Sequence, residues 1–384
     1  MSAGAGLAPE FLRPEHGRST LAQLVPAISS HLTGQGTDPF GLPDAQRYVL
    51  LLVDGMGAEL LNSHSGLAPH LTSMDGHLGT VTCAVPSTTA TSLSCLGTGA
   101  QPGRHGILGY TFRSPLGGVV MNALTWRGGD APSVLQPHPT AFEKLVARQV
   151  AVTSVGPERF KRSGLTMASL RGPEFVPVAD EDDIDLRADL ARAAADRGDH
   201  SLTYVYERSL DHVGHGDGCE SSAWRRRLGW VDELVEALSE GLDPGTVLVV
   251  TADHGMVDIP GDRRIVVEDD ASLLADVDDI AGEPRFRHIY TDRPEEVARR
   301  WSRALGDRAC VLTADEAIAA GLFGDWDPGL RSRLGDVVVP MRRDWAVMTE
   351  RQPQEMGLIG MHGSLTSVEM AVPLRWETVG SPRW

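Results

Sequence analysis

Two apolar runs constrain this chain most. Residues 47–57 read RYVLLLVDGMG, and residues 245–256 read GTVLVVTADHGM. Each is a Leu- and Val-rich stretch of strand length that ends in Asp and Gly. A strand with no polar alternation must be buried on both faces, which is the habit of parallel sheets covered by helices. Residues 201–215, SLTYVYERSLDHVGH, repeat the form: LTYVY, then charges and glycine. Between these runs, 183–198 (DIDLRADLARAAADRG) and 224–242 (WRRRLGWVDELVEALSEGL) read as helices. The second carries Leu228, Val231, Val235 and Leu238 at three- and four-residue steps, one apolar stripe. Strand alternating with helix predicts an α/β fold around a mostly parallel sheet.

The chain has 384 residues, 41% of them hydrophobic, enough for one large catalytic domain over 1–384 with a sizeable core. Residues 258–345 carry acidic runs (VEDDASLLADVDDIAGE) and scattered prolines, and read as a less regular cap inserted before the last core elements. A net charge of −17 excludes a protein that wraps a nucleic-acid backbone. An acidic chain still accepts a phosphate ester where bound metal ions reverse the local charge. The four cysteines form no CxxC pair, so neither a zinc knuckle nor a redox motif is expected. The first twenty residues contain no apolar core of signal-peptide length, and YVLLLV is too short to cross a bilayer. The expectation is a cytoplasmic protein that engages neither membranes nor nucleic-acid polymers.

Ligands of open α/β sheets bind beyond the carboxyl ends of the strands. Metal-holding side chains collect there: Asp54 in VDGMG, Asp211 and His215 in SLDHVGHGDG, Asp253 and His254 in TADHGM, and His362 in GMHGS. Singly, each has an ordinary reading as a turn or loop residue. As a set they are three carboxylates and three imidazoles in one kind of position. Mixed Asp/His sets suit zinc, and manganese or iron is also compatible. Six ligands are too many for one zinc and about right for two. A two-metal site with ions ~4 Å apart clamps the attacking and leaving oxygens of a phosphoryl transfer.

Such a site also gives meaning to VPSTTATSL (85–93), where five of nine side chains carry a hydroxyl. A coordinated alcohol loses its proton more readily, so a Ser or Thr here could attack phosphorus. The residues alone leave open which of Ser87, Thr88, Thr89, Thr91 and Ser92 does so.

In this order, Asp, hydroxyl, Asp-x-x-x-His, Asp-His and a late His, the chain resembles the alkaline phosphatase superfamily. It is most similar to the type I phosphodiesterase/nucleotide pyrophosphatase branch. The closing segment GMHGSLTSVEMAVPL (360–374) is the most specific part of the likeness, which spans roughly 47–374 and is faintest over 260–340. The resemblance implies a three-layer α/β/α fold with a small inserted cap. It implies a nucleophile three residues after a proline, on the first turn of a helix; Pro86 places it at Thr89. It also supplies a partition of ligands: Asp54, Thr89, Asp253 and His254 for one metal, and Asp211, His215 and His362 for the other.

Two departures stand out. The family's aromatic-Pro-Asn-His segment after the nucleophile is replaced by Ala90-Thr91-Ser92-Leu93. Nucleotide pyrophosphatases carry an Asn at the end of the segment aligned with HGILGY, where it steadies a non-bridging phosphate oxygen; this chain has Tyr110. Asn122 or the Tyr110 hydroxyl are the candidates to replace that donor, with a turn amide as the ordinary reading of Asn122. The resemblance therefore implies a two-metal hydrolase of small-molecule phosphate esters, diesters or nucleotides first. A phosphomonoesterase or phosphonate hydrolase uses the same frame. A catalytically silent metal-binding protein is the alternative of another class.

Overall fold

The computed structural model describes residues 7–74 and 76–381. Its core is a seven-stranded sheet with helices on both faces, a three-layer α/β/α arrangement. In chain order the strands are β1 (Arg47–Val53), β2 (Gly76–Thr82), β3 (Ala151–Pro157), β4 (Glu174–Val178), β5 (Ser201–Glu207), β6 (Val247–Thr251) and β7 (Ala371–Thr378). Their order across the sheet is β2-β7-β6-β1-β5-β3-β4. The apolar run RYVLLLV becomes β1, at the middle of the sheet between β5 and β6, all three parallel. Tyr48 to Val53 are all fully buried, as a strand covered on both faces requires.

The topology aligns the strand ends that matter. β1, β5 and β6 are adjacent and parallel, so whatever follows each of them emerges at one edge. β7 alone runs against its neighbours, with Ala371 opposite Thr82 and Leu374 opposite Thr251. The start of β7 therefore lies at that same edge, and so does the chain just before it, which carries His362.

Helix α1 (Thr89–Thr98) leaves the β2 end, and α2 (Ile184–Ala195) leads into β5. α3 (Ser209–Asp217) follows β5 almost without a loop, and α4 (Ser222–Gly241) leads to β6. The Ser221 hydroxyl accepts the Trp224 N–H and caps α4; Leu228, Val231, Val235 and Leu238 are its buried stripe.

Within 258–345 the chain is more regular than its composition suggests. Strands Asp279–Glu283, Phe286–Tyr290, Val337–Pro340 and Leu312–Thr313 form an antiparallel sheet in that order, packed under the helix Pro294–Leu305. Ile280, Ile289, Val297, Trp301 and Val339 share a hydrophobic cluster of their own. The acidic run that looked irregular thus contains a strand. The edge strand docks on 110–113: Thr111 donates to the Gly282 carbonyl at 2.9 Å, and Arg113 pairs with Asp279 at 3.0 Å. Among the described residues no helix is long and apolar enough to cross a membrane.

Candidate active site

A cleft of about 440 Å³ opens over the carboxyl edge of the sheet. Asp54, Thr89, Asp211, His215 and His362 line its floor, and Leu93, Phe160, Leu165, Phe175 and Tyr206 one wall. Asp253 and His254 lie just beneath, fully buried.

Asp54 follows β1 directly, and its N–H donates to the Glu207 carbonyl at the end of β5. Gly55 takes φ +75°, and a Cβ there would meet Asp211 at 3.0 Å; only glycine lets β1 and α3 approach so closely. The Gly55 N–H holds Asp253 Oδ1 at 3.2 Å. His254 Nε2 lies 3.3 Å from Asp54 Oδ1 and 3.6 Å from Asp253 Oδ2. On α3, Asp211 and His215 share one face, with His215 Nε2 3.4 Å from Asp211 Oδ1. His362 Nε2 is 3.9 Å from the same oxygen, and its ring stacks on that of His254 with centroids 3.7 Å apart.

The six ligand candidates therefore meet in one place. Asp211, His215 and His362 offer atoms within 4.8 Å of one another, and so do Asp54, Asp211 and His254. Asp211 stands between the two groups. The three imidazoles are oriented alike. His215 Nδ1 faces the Gly360 carbonyl at 2.8 Å, His362 Nδ1 the Ser87 carbonyl at 2.9 Å, and His254 Nδ1 the Gly255 carbonyl at 3.0 Å. A carbonyl only accepts, so each Nδ1 donates and each Nε2 is the nitrogen turned to the cluster.

Thr89 is the first residue of α1, with Thr88 at the N-cap. Its hydroxyl is 3.1 Å from His254 Nε2 and donates to Asp54 Oδ1 at 3.5 Å. Of its neighbours, Thr88 also lines the cleft, whereas Ser87 donates to the Ser364 carbonyl, Ser92 accepts the Ala84 N–H, and Thr91 is buried without a partner. Tyr110 lines the cleft. Asn122 does not, since its side-chain oxygen takes the N–H groups of Leu124 and Thr125. It is a turn amide that reaches the cleft only through Tyr110, whose hydroxyl it contacts.

Electrostatically the cluster is incomplete without cations. Burial pushes Asp211 up to about 6, and burial followed by Asp54 pushes Asp253 well above the carboxylate range. Burial also works on Asp54, but the His254 hydrogen bond and charge and the Tyr206 hydroxyl hold it low. His254 resists burial because Asp253, Asp54 and Asp211 surround it, and sits at about 10. Burial, then His254 and His215, press His362 well below its usual value. Asp211 Oδ1 and Asp253 Oδ2 are buried with no hydrogen-bond partner. Carboxylate oxygens without hydrogen-bond partners beside inward Nε2 atoms are a donor set that divalent metals take by displacing protons, so these residues fit two such ions.

Two participants lay outside the sequence reasoning. The Tyr206 hydroxyl donates to Asp54 Oδ2, whereas the sequence offers Tyr206 only as a core aromatic or a ring on which a base stacks. Glu283 reaches the cleft from the cap and takes the Tyr110 N–H at 3.0 Å. No local pattern announces either contact.

Comparison with known proteins shows the family and the fold. A phosphopentomutase of Anaeromyxobacter dehalogenans is 35% identical over 127 residues, 32% of this chain and 29% of that protein. The catalytic subunit of human GPI ethanolamine phosphate transferase 3 is 32% identical over 75 residues, 19% of this chain and 7% of that protein. The matched segments thus span less than a third of either relative. Among solved structures, murine ectonucleotide pyrophosphatase/phosphodiesterase 5, an inactive threonine-to-alanine variant in complex with AMP, superposes with a TM-score of 0.69. It is 16% identical, and the match covers 86% of this chain and 88% of that one. The human counterpart gives 0.67 at 17% identity. Residues 48–365 match the type I phosphodiesterase/nucleotide pyrophosphatase family, and the chain belongs to that family of phosphoester hydrolases.

Proposed function

We propose that this protein hydrolyses small-molecule phosphate esters, diesters and nucleotide derivatives foremost, by way of a phospho-threonine at Thr89. The observation that carries the reading is the position of the Thr89 hydroxyl, 3.1 Å from His254 and 3.5 Å from Asp54 on the cleft floor. Asp54, Thr89, Asp253 and His254 would hold one divalent ion, and Asp211, His215 and His362 a second, with zinc the best match to the donors. When bound, such ions supply positive charge that favours the alkoxide of Thr89 and offsets the charge of the phosphoryl oxygens.

The chain's own residues do the rest. Thr89 Oγ1 gives up its proton to solvent and bonds to phosphorus, while the bond to the leaving oxygen breaks and that oxygen takes a proton from solvent. The first N–H groups of α1 point at the phosphoryl group and stabilise its negative charge. A water molecule then attacks phosphorus, and the oxygen of Thr89 leaves and regains its proton. The organic group of the ester rests on the apolar wall, where Phe160 and Tyr206 offer faces on which a base or other planar group stacks. The inactive threonine-to-alanine variant of the murine relative supports the choice of a threonine.

The test is Thr89→Ala assayed with zinc on bis-p-nitrophenyl phosphate, beside Thr88→Ala. Thr89→Ala should keep its metal and lose at least about a thousandfold in turnover, and Thr88→Ala should lose far less. Near wild-type rates in Thr89→Ala sink the mechanism. Full zinc occupancy in the wild type with no hydrolysis of mono- or diesters would instead favour a silent metal-binding protein. The ratio of diester to monoester rates separates the diesterase from the monoesterase reading.

A further inference from the structure

Of the charged groups that line the cleft, Asp54, Asp211, His215 and His362 belong to the ligand cluster. Arg208, another lining residue, is held by Glu181 at 3.0 Å. Glu355, also in the lining, is paired with Arg287. Glu283 is different. It ends the cap's edge strand and is only 3% exposed, yet it lines the cleft. Its Oε2 accepts the Tyr110 N–H, and its Oε1 is buried with no hydrogen-bond partner. The carboxyl stem lies over Gly363, where a Cβ would come within 2.5 Å of Glu283 Cγ. Gly363 follows His362, so the Glu283 side chain packs against the segment that carries that ligand candidate.

The docking point is informative. Tyr110 ends HGILGY, where the resemblance implies an amide that steadies a phosphate oxygen, and Asn122 does not line the cleft: its oxygen takes the Leu124 and Thr125 N–H groups, and it touches the Tyr110 hydroxyl. The cap instead brings a carboxyl group to the Tyr110 backbone and to the lining of the cleft. We propose that Glu283, in its acid form, contacts substrate and donates a hydrogen bond from Oε1 to an oxygen of the bound phosphoryl group. The inference rests on the phosphoester reading of this site. A carboxylate facing a phosphate is repelled, whereas a carboxylic acid is a donor at that position. Burial favours the acid form, pushing the group up to about 8, with Glu355 adding to the shift and the Tyr110 N–H, Arg287 and His254 opposing it.

The experiment measures inorganic phosphate binding by calorimetry, and diester kinetics, on metal-loaded wild type, Glu283→Gln and Glu283→Ala. Gln is isosteric and its amide donates, so Glu283→Gln should bind phosphate within about threefold of wild type and lose less kcat/KM than Glu283→Ala. Glu283→Ala should weaken phosphate binding about 10- to 100-fold, the effect of losing one hydrogen bond to a charged group. Melting temperatures should stay close together; Glu283→Met, similar in volume and without a donor, carries the same expectation if the alanine variant loses its fold. Unchanged phosphate affinity in both donor-free variants overturns the contact. Equal impairment of Glu283→Gln and Glu283→Ala overturns the acid-form donor in favour of a carboxylate. A wild type that binds phosphate but hydrolyses no ester defeats the proposed function while leaving the binding comparison decisive. A wild type that binds none defeats both.

Discussion

Arg285 donates to both carboxylate oxygens of Glu369, at 3.0 and 2.7 Å, and neither side chain is exposed at all. The pair joins the cap to the segment that closes the core. Glu369 also takes the Ser364 N–H at 2.9 Å and the Thr366 hydroxyl at 2.5 Å, fixing the turn after His362. Arg285 spends its other donors on the Arg343 and Trp345 carbonyls. Removing one partner strands a buried charge. Arg285→Ala should cost about 3–5 kcal/mol in denaturant unfolding. Arg285→Lys should recover only part, because an ammonium cannot form the fork. A loss under about 1 kcal/mol for the alanine variant would show that Glu369 finds other compensation.

Tyr206 and Asp54 pose a narrower question, since the tyrosine orients a ligand candidate without being one. With Tyr206→Phe the ring stays and the donor goes. Metal affinity should fall about 10- to 100-fold with little change in melting temperature, as for other partners that orient metal ligands. Competition titration with a zinc chelator reads this directly. Unaltered affinity would reduce Tyr206 to a wall of the cleft.

The apo protein should be the weaker fold. Asp54, Asp211 and Asp253 crowd one buried site, and two of their oxygens have no hydrogen-bond partner. An ion present at a hundred times its dissociation constant stabilises by about 2.7 kcal/mol. Chelation should lower the calorimetric melting temperature by several degrees, and added zinc or manganese should restore it. A melting temperature indifferent to chelator would count against resident metals.

The legible and the illegible parts of this molecule divide along one physical line. Asp54, Asp253 and His254 could be found because a doubly covered strand announces its own end, and chemistry in parallel sheets gathers at such ends. Asp211 and His215 add the four-residue step of a helix. Thr89 needed the family pattern, since its four hydroxyl-bearing neighbours look the same locally and only the fold aims it at Asp54. The contacts that escaped join residues far apart in sequence. Tyr206 and Asp54 are 152 positions apart, and Arg285 and Glu369 are 84. The cap hid for another reason. Strand Phe286–Tyr290 is buried at all five positions, yet two of them are Arg287 and His288, so no apolar run marks it. Its charges are satisfied by partners that only the tertiary structure supplies.

Those buried histidines give the last expectation. His105 is fully buried; its Nδ1 accepts the Ile107 N–H at 3.1 Å, and Nε2 faces Cys95 Sγ at 3.3 Å. His288 Nδ1 accepts the Gly335 N–H at 3.0 Å. Burial, with Arg333 nearby, presses His105 down to about 3. Burial presses His288 to about 4, with Arg287 adding to the shift. In the unfolded chain both titrate near 6.5. As pH falls below that value the unfolded state takes up protons that the folded state refuses, so stability drops. The loss continues until the folded-state values are reached and then levels off. The slope is about 1.4 kcal/mol per pH unit for each histidine that titrates only when unfolded. Unfolding free energies of chelator-treated protein between about pH 6 and 4.5 should therefore fall more steeply for wild type than for His288→Gln, by close to one proton's worth. The single-site difference matters because Asp211 and other groups titrate in the same range and cancel between the two proteins. Parallel slopes would mean that His288 accepts a proton without leaving its site.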